Sequence, residues 1–121
     1  RLSEIYYMLA ECELRAGHKK EAAELINQVR ARNFENRNDP DPVTADNLDE
    51  SRMLDEWMIE FLGEGRRRTD LIRWGAFTSE SWWDHTPSND KNMNRFPIPN
   101  SAISANNLIK QNPGYGGTAE E

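Results

Sequence analysis

Three observations predict an all-α fold. Apolar residues recur at three- and four-residue spacing over residues 1–32 and again from Leu54 to Leu62, the period of a helix with one face in a core. Glycines stand where those runs stop, at Gly17, Gly63, Gly65 and Gly75, and a glycine closes a helix readily because it reaches the left-handed conformation without steric penalty. Beyond Gly75 the stretch from Ala76 to Arg95 has neither a helical nor a strand period, which predicts a loop-rich tail over 76–121.

Residues 1–32 read as a helical hairpin. In its first helix Leu2, Ile5, Tyr6, Leu9 and Cys12 make one apolar stripe, and Tyr7, Ala10 and Leu14 make a second. Two stripes predict a helix packed on two sides, with Cys12 buried as a small hydrophobe. Gly17 ends this helix, and after His18-Lys19-Lys20 a second carries Ala22, Leu25, Ile26 and Val29 on one face. Small Ala10, Gly17 and Ala22 let the two helices approach closely, a pattern similar to a tetratricopeptide repeat, with Phe34 near the place of its usual closing proline. A lone repeat cannot bury both its faces, so further partners are expected.

Residues 33–47 are a polar loop with two prolines. Asn47 with Glu50 three residues later predicts a capping box, with Asp46 as the other candidate cap. The helix that follows carries Leu54, Trp57, Met58, Phe61 and Leu62 on one face, Gly63-Glu64-Gly65 breaks it, and a short helix from about Arg66 to Trp74 ends at Gly75. In the tail, Phe96-Pro-Ile-Pro99 must be extended because proline fixes its own φ and restricts the residue before it. Ser101 to Asn106 can make one helical turn, and Asn112-Pro-Gly-Tyr115 carries Pro then Gly at the centre of a turn.

The segment 47–75 holds the most specific pattern. Glu56, Glu60 and Glu64 are spaced four apart on one helical face, and Gly65, Arg67, Asp70, Arg73 and Trp74 follow. Like charges at that spacing repel unless cations intervene, and Arg66, Arg67, Arg68 and Arg73 are the expected partners, folding back onto the carboxylates. With Phe96-Pro-Ile-Pro99 and Gln111-Asn-Pro-Gly-Tyr115, these residues resemble the C-terminal region of the SusD/RagB family. The resemblance runs from Glu4 to Tyr115. It departs from the family at Trp57, Met58 and Ile59, where arginines are common, at Gly63, usually aromatic, and at Ala102, often glutamate.

The resemblance implies an all-α C-terminal region spanning 1–121, made of a tetratricopeptide-like hairpin (1–32), a signature helix pair (47–75) and a loop-rich tail (76–121). It also implies that Glu56, Glu60, Glu64, Gly65, Arg67, Asp70, Arg73 and Trp74 are signature residues of the fold without a catalytic role. Family members are outer-membrane, cell-surface lipoproteins that capture oligosaccharides for a TonB-dependent transporter barrel, and they need no cofactor. A helical-repeat scaffold that binds a protein partner is the alternative, and a glycosidase comes third.

Composition agrees with a piece of a larger protein. The chain has 121 residues, 36% hydrophobic and 30% charged, with a mean hydropathy of −0.91, and these leave a thin core for one domain. The helical pattern already runs at Arg1-Leu-Ser-Glu-Ile, so any membrane attachment is expected from a lipidated segment ahead of it. A net charge of −6 argues against nucleic acid, which needs a basic patch. With Cys12 the single cysteine, no internal disulfide can form and no zinc ligand set can be assembled.

Candidate ligand residues lie in the tail. Trp82 and Trp83 offer flat indole faces for sugar rings, and Asp84, His85, Asn89 and Asp90 can hydrogen-bond hydroxyls. The plainer expectation is that these tryptophans pin the loop to the helices. Paired glutamates also cleave glycosides, yet nothing in the spacing of Glu56, Glu60 and Glu64 places a cleft between them. Asn38-Asp39-Pro40-Asp41 offers oxygens of the type calcium prefers, without the glycine and terminal glutamate of an EF-hand loop.

Overall fold

The structure is a computed structural model that describes residues 1–82 and 85–116. Its described residues form five α-helices and three short 3₁₀ segments, with no strand. The chain divides into two compact units, Arg1–Arg67 and Arg68–Glu121.

The first unit opens with α1 (Leu2–Arg15) and α2 (Lys19–Arg30), which pack on each other, and ends with α3 (Glu50–Glu60). Gly17 closes α1 at φ +87°, with its own N–H on Leu14 O and the His18 N–H on Glu13 O. These two bonds satisfy carbonyls that a helix end otherwise leaves open. α2 buries Ala22, Ala23, Ile26 and Val29, the face the sequence predicts with Ala23 in place of the half-buried Leu25.

α1 corrects the sequence expectation. Its buried residues are Ser3, Tyr7, Ala10 and Glu11, the second stripe with two polar additions and with Leu14 only half-buried. The first stripe faces outward: Leu2 is 72% exposed, Ile5 60% and Leu9 48%, and Cys12 is exposed as well. The aromatic residues decide which side turns in. Tyr7 meets Trp57 edge-on at 5.3 Å between ring centroids and Phe61 at 6.1 Å, with Trp57 and Phe61 5.3 Å apart. Three large rings, with Tyr7 edge-on to both of the others, outweigh a stripe of smaller aliphatics.

The 33–47 loop is more anchored than its polarity suggests. Val43 and Leu48 are buried, and the Asn27 side chain brackets Val43, donating to its carbonyl at 2.7 Å and accepting from its N–H at 2.9 Å. Asn47 does not cap α3. It is paired with Thr44 through reciprocal side-chain to backbone bonds, and Asp49 is the cap, accepting from the Arg52 N–H at 2.8 Å. Burying Leu48 keeps the chain extended past Asn47 and moves the helix start two residues on. At the other end α3 stops at Glu60, so Leu62 leaves the predicted apolar face and is exposed.

The second unit takes up α4 (Arg67–Arg73), a 3₁₀ turn at Lys91–Asn94 and α5 (Asn100–Ala105). Gly75, at φ +75°, closes α4 as Gly17 closes α1, with its N–H on Ile72 O and the Ala76 N–H on Leu71 O. Polar side chains stitch the tail together. Gln111 accepts from the Ile98 N–H at 2.7 Å and donates to Ile98 O at 2.8 Å. Asn112 donates to Phe96 O at 2.8 Å, and the Tyr115 hydroxyl donates to Arg95 O. The extended Phe96-Pro-Ile-Pro99 segment and the Asn112-Pro-Gly-Tyr115 turn are thereby joined.

Candidate functional site: the carboxylate network and the aromatic loop

The three spaced glutamates fall on or just past α3, and their cations are Arg1, Arg30 and Arg32 of the hairpin with Arg52 of α3. Glu56, with none of its surface exposed, accepts from Arg30 Nη1 at 2.7 Å and Arg52 Nε at 2.9 Å. Glu60 is held by Arg32 and by Arg1, the latter at 3.3 Å, and Glu64 by Arg1 at 2.8 Å. The arginines after Gly65 are engaged elsewhere, which corrects the expected pairing. Arg66 bonds Glu4 at 2.6 Å and lies over the Trp57 ring at 4.1 Å. Arg67 donates to Leu54 O at 2.7 Å, and Arg73 pairs with the buried Asp70 at 3.0 Å. The reason is geometric: Glu56 faces the end of α2, so Arg30, 26 residues away, joins Arg52 from the preceding turn of α3.

Arg30 is the hub of this network. It also grips Asp39 at 2.6 Å and donates to Asp41 O at 2.8 Å. The Asp39 hydrogen bond, joined by the charge and bond of Glu56, raises Arg30 further above its ordinary value despite burial. Burial opposes the charge of Arg52, yet its hydrogen bond to Asp41 and the Glu56 charge more than offset this. Asp39 is held below the usual carboxylate range by its bond to Arg30. The calcium-like oxygens of the 38–41 stretch are thus taken up by guanidinium groups. Among the described residues no group of three or more His, Cys, Asp or Glu side chains is arranged to hold a metal ion.

A second buried carboxylate was not singled out by its spacing. Glu11 accepts from the Trp57 indole N–H at 3.0 Å and from Arg15 at 3.1 Å. The signals were present: Glu11 lies four residues after Tyr7, and Arg30 lies four after Ile26 on a buried face. A charge on an apolar stripe implies a buried partner. Tyr7, whose hydroxyl points to Glu56 at 3.5 Å, is pushed well above its ordinary value by burial first and by the Glu56 charge next, so it stays neutral. Glu56 is thus clamped between two guanidinium groups inside the fold.

Gly65 sits at φ +74° with open space where a Cβ would lie. Its role is therefore conformational, and a side chain there costs roughly 1–2 kcal/mol through the left-handed backbone alone. The Trp74 ring nitrogen is buried.

In the second unit, Trp82 stacks on His85, with ring centroids 4.0 Å apart and planes 12° from parallel. The two residues are also joined by reciprocal backbone bonds of 3.3 and 2.8 Å. His85 lies against Phe77 at 6.1 Å and its Nε2 faces Phe77 O at 3.2 Å. Asp90 caps the Lys91–Asn94 turn through the Asn92 N–H at 2.9 Å, and the Asn89 N–H reaches Thr78 O. Of the hydroxyl-binding candidates, His85 and Asp90 thus make bonds inside the loop. Trp83 and Asp84 lie outside the described residues. Nearby, the Arg68 guanidinium lies over Phe96 at 4.1 Å and Phe77 at 5.0 Å, while donating to Met93 O.

The described chain is thus a helical region whose spaced acidic residues pair with arginines, followed by a loop ordered by polar side chains. The sequence model of the SusD family matches residues 1–115, and the chain belongs to that family. It is similar to the starch-binding protein SusD of Bacteroides thetaiotaomicron, 37% identical over 95% of this chain and 21% of that protein. It is also similar to the SusD-like protein P25 of Formosa agariphila, 30% identical over 95% of this chain and 24% of that protein. The chain therefore spans about a fifth to a quarter of the relatives it matches.

Proposed function

We propose that the protein carrying this chain captures oligosaccharides at the outer face of the outer membrane and passes them to a TonB-dependent transporter barrel. Membership of the SusD family, with a starch-binding relative at 37% identity, is the observation that carries this reading. The protein binds without cleaving. Support comes from Glu56, Glu60 and Glu64, each engaged by arginine, since glycoside cleavage needs one carboxyl free to donate a proton and another free to attack or activate water. Residues 1–32 act as one tetratricopeptide-like unit of a larger helical stack, and a lipidated segment ahead of this chain anchors the protein.

Trp82 and Trp83 contribute at the rim of the glycan site or pin the loop that borders it. Calorimetric titration of the full-length protein with a panel of oligosaccharides, alongside Trp82→Ala and Trp83→Ala, separates these roles. A rim residue loses affinity at unchanged melting temperature, whereas a loop pin loses stability first. Growth of reducing ends during the titration would sink the binding-only reading.

The alternative, a helical scaffold for a protein partner, is favoured by the outward stripe of Leu2, Ile5 and Leu9, an unusual apolar surface for a solvated helix. Binding of a protein partner with no glycan affinity in the same panel would select it.

A further inference from the structure

The loop after α4 is folded around His85. Its imidazole stacks on two rings, Trp82 at 4.0 Å with planes 12° apart and Phe77 at 6.1 Å with planes 26° apart. Nε2 faces Phe77 O at 3.2 Å, and Phe77 is itself tied to the end of α4 by its N–H on Leu71 O. All three ring residues are half-buried. The stack and the bond lie wholly between Phe77 and His85, so this loop makes them on its own, whatever the rest of a longer protein places around it.

A carbonyl oxygen only accepts, so Nε2 carries the ring hydrogen and Nδ1 is the atom that takes up a further proton. Among the described residues no carboxylate pairs with the ring. Glu80 is exposed, and Asp90 faces the Asn92 N–H. The cation on this stack is Arg68, over Phe77 at 5.0 Å and bonded to Met93 O. Its repulsion of a charged imidazole is weakened by solvent at a half-buried site. Three contacts act the other way. An imidazolium donates a charge-assisted bond to Phe77 O, stronger than the neutral one, and the faces of the indole and phenyl rings both attract its charge.

We propose that His85 is a proton-operated clamp on the 77–89 loop: a proton on Nδ1 fastens the loop, and its loss loosens it. An imidazole changes charge between about pH 5 and pH 8, so the loop that carries Trp82 is firmest in mildly acid surroundings. The clamp is the same whether Trp82 touches sugar or pins the loop, and it stands apart from the glycan-capture reading.

Hydrogen exchange of the full-length protein, corrected for the intrinsic rate and read over residues 77–90, tests this. Protection there rises about two- to fivefold as pH falls from about 8 to about 5.5. The slope vanishes in His85→Gln, which can still donate to Phe77 O, and in His85→Phe, which still stacks. It persists in His18→Gln, because His18 belongs to the first unit and pairs with Glu13. Deuterium exchange at the ring C2 carbon of His85 gives that residue's own titration in the parent, so the test stands even if both variants open the loop at every pH. Its midpoint coincides with the rise in loop protection. Protection that is flat in the parent, that falls with acid because removing the charge from water outweighs the three contacts, or that rises at a different midpoint overturns the clamp. So does a rise that survives in both His85 variants.

Discussion

The two units of this chain are held together by different physics. In the first, twelve apolar side chains from Tyr7 to Phe61 are buried and the charged groups close over them, with Arg30 joining Glu56 and Asp39. In the second, the buried apolar side chains among the described residues are Leu71 and Ala76. Order there comes from single side chains clamping backbone, as Gln111 does on Ile98. A hydrophobic core with ion pairs fails as one body, because each contact depends on many others. A segment stitched by hydrogen bonds opens piece by piece, because the net contribution of each bond is only about 1 kcal/mol.

The largest effect that can break this comparison is expected at Arg30. Arg30→Met leaves Glu56 with Arg52 alone and Asp39 without its main cation, and losing one partner of a buried pair costs about 3–5 kcal/mol. Hydrogen exchange of the full-length protein should show α1, α2 and α3 losing protection together. Protection within a few tenths of a kcal/mol of the parent in those helices would make the network a solvated face and remove the contrast.

A smaller and more local effect is expected from Gln111→Ala. The Ile98 N–H and carbonyl both lose their partner, at a cost of about 1–3 kcal/mol for groups left unsatisfied. Exchange at Ile98 and its neighbours should quicken while α1 and α2 stay as they were. Loss of protection spreading to the first unit would mean that the two units fold as one.

The smallest effect is a pH dependence that sharpens the role of Arg30. Asp39 titrates below its unfolded value near 4 because Arg30 bonds its charged form. A depressed folded pKa means the unfolded chain takes up the proton first. The contribution is therefore complete above about pH 4 and lost as pH falls from there through the folded pKa. Glu4, lowered by its bond to Arg66, adds in the same direction. Urea unfolding between about pH 6 and pH 3 should show stability falling with acid, and Arg30→Met should flatten that slope. An equal slope in the variant would assign the acid sensitivity to other carboxylates.

Local chemistry made much of the first unit legible before any contact was known. The period of apolar residues located α1 to α3, and Gly17 and Gly75 marked the ends of α1 and α4 because a left-handed residue is needed there whatever the surroundings. The spacing of Glu56, Glu60 and Glu64 announced a need for cations, since like charges four residues apart repel. Which cations answered was not legible. Arg30 and Arg32 lie 26 and 28 residues from their partners, and no local rule selects one arginine over another at that range. The cap of α3 passed from Asn47 to Asp49 for a related reason, because burying Leu48 outweighed a good capping box.

The sequence by itself determined the helical periods, the glycine stops, the extended proline segment and the family, because each is written in residues close together along the chain. The tertiary structure alone decided which stripe of α1 turns inward and that Arg30 and Arg32 answer the spaced glutamates. Those outcomes depend on packing three aromatic rings and on charges brought together from distant helices. Burial energy is shared among all of the partners and belongs to no single segment.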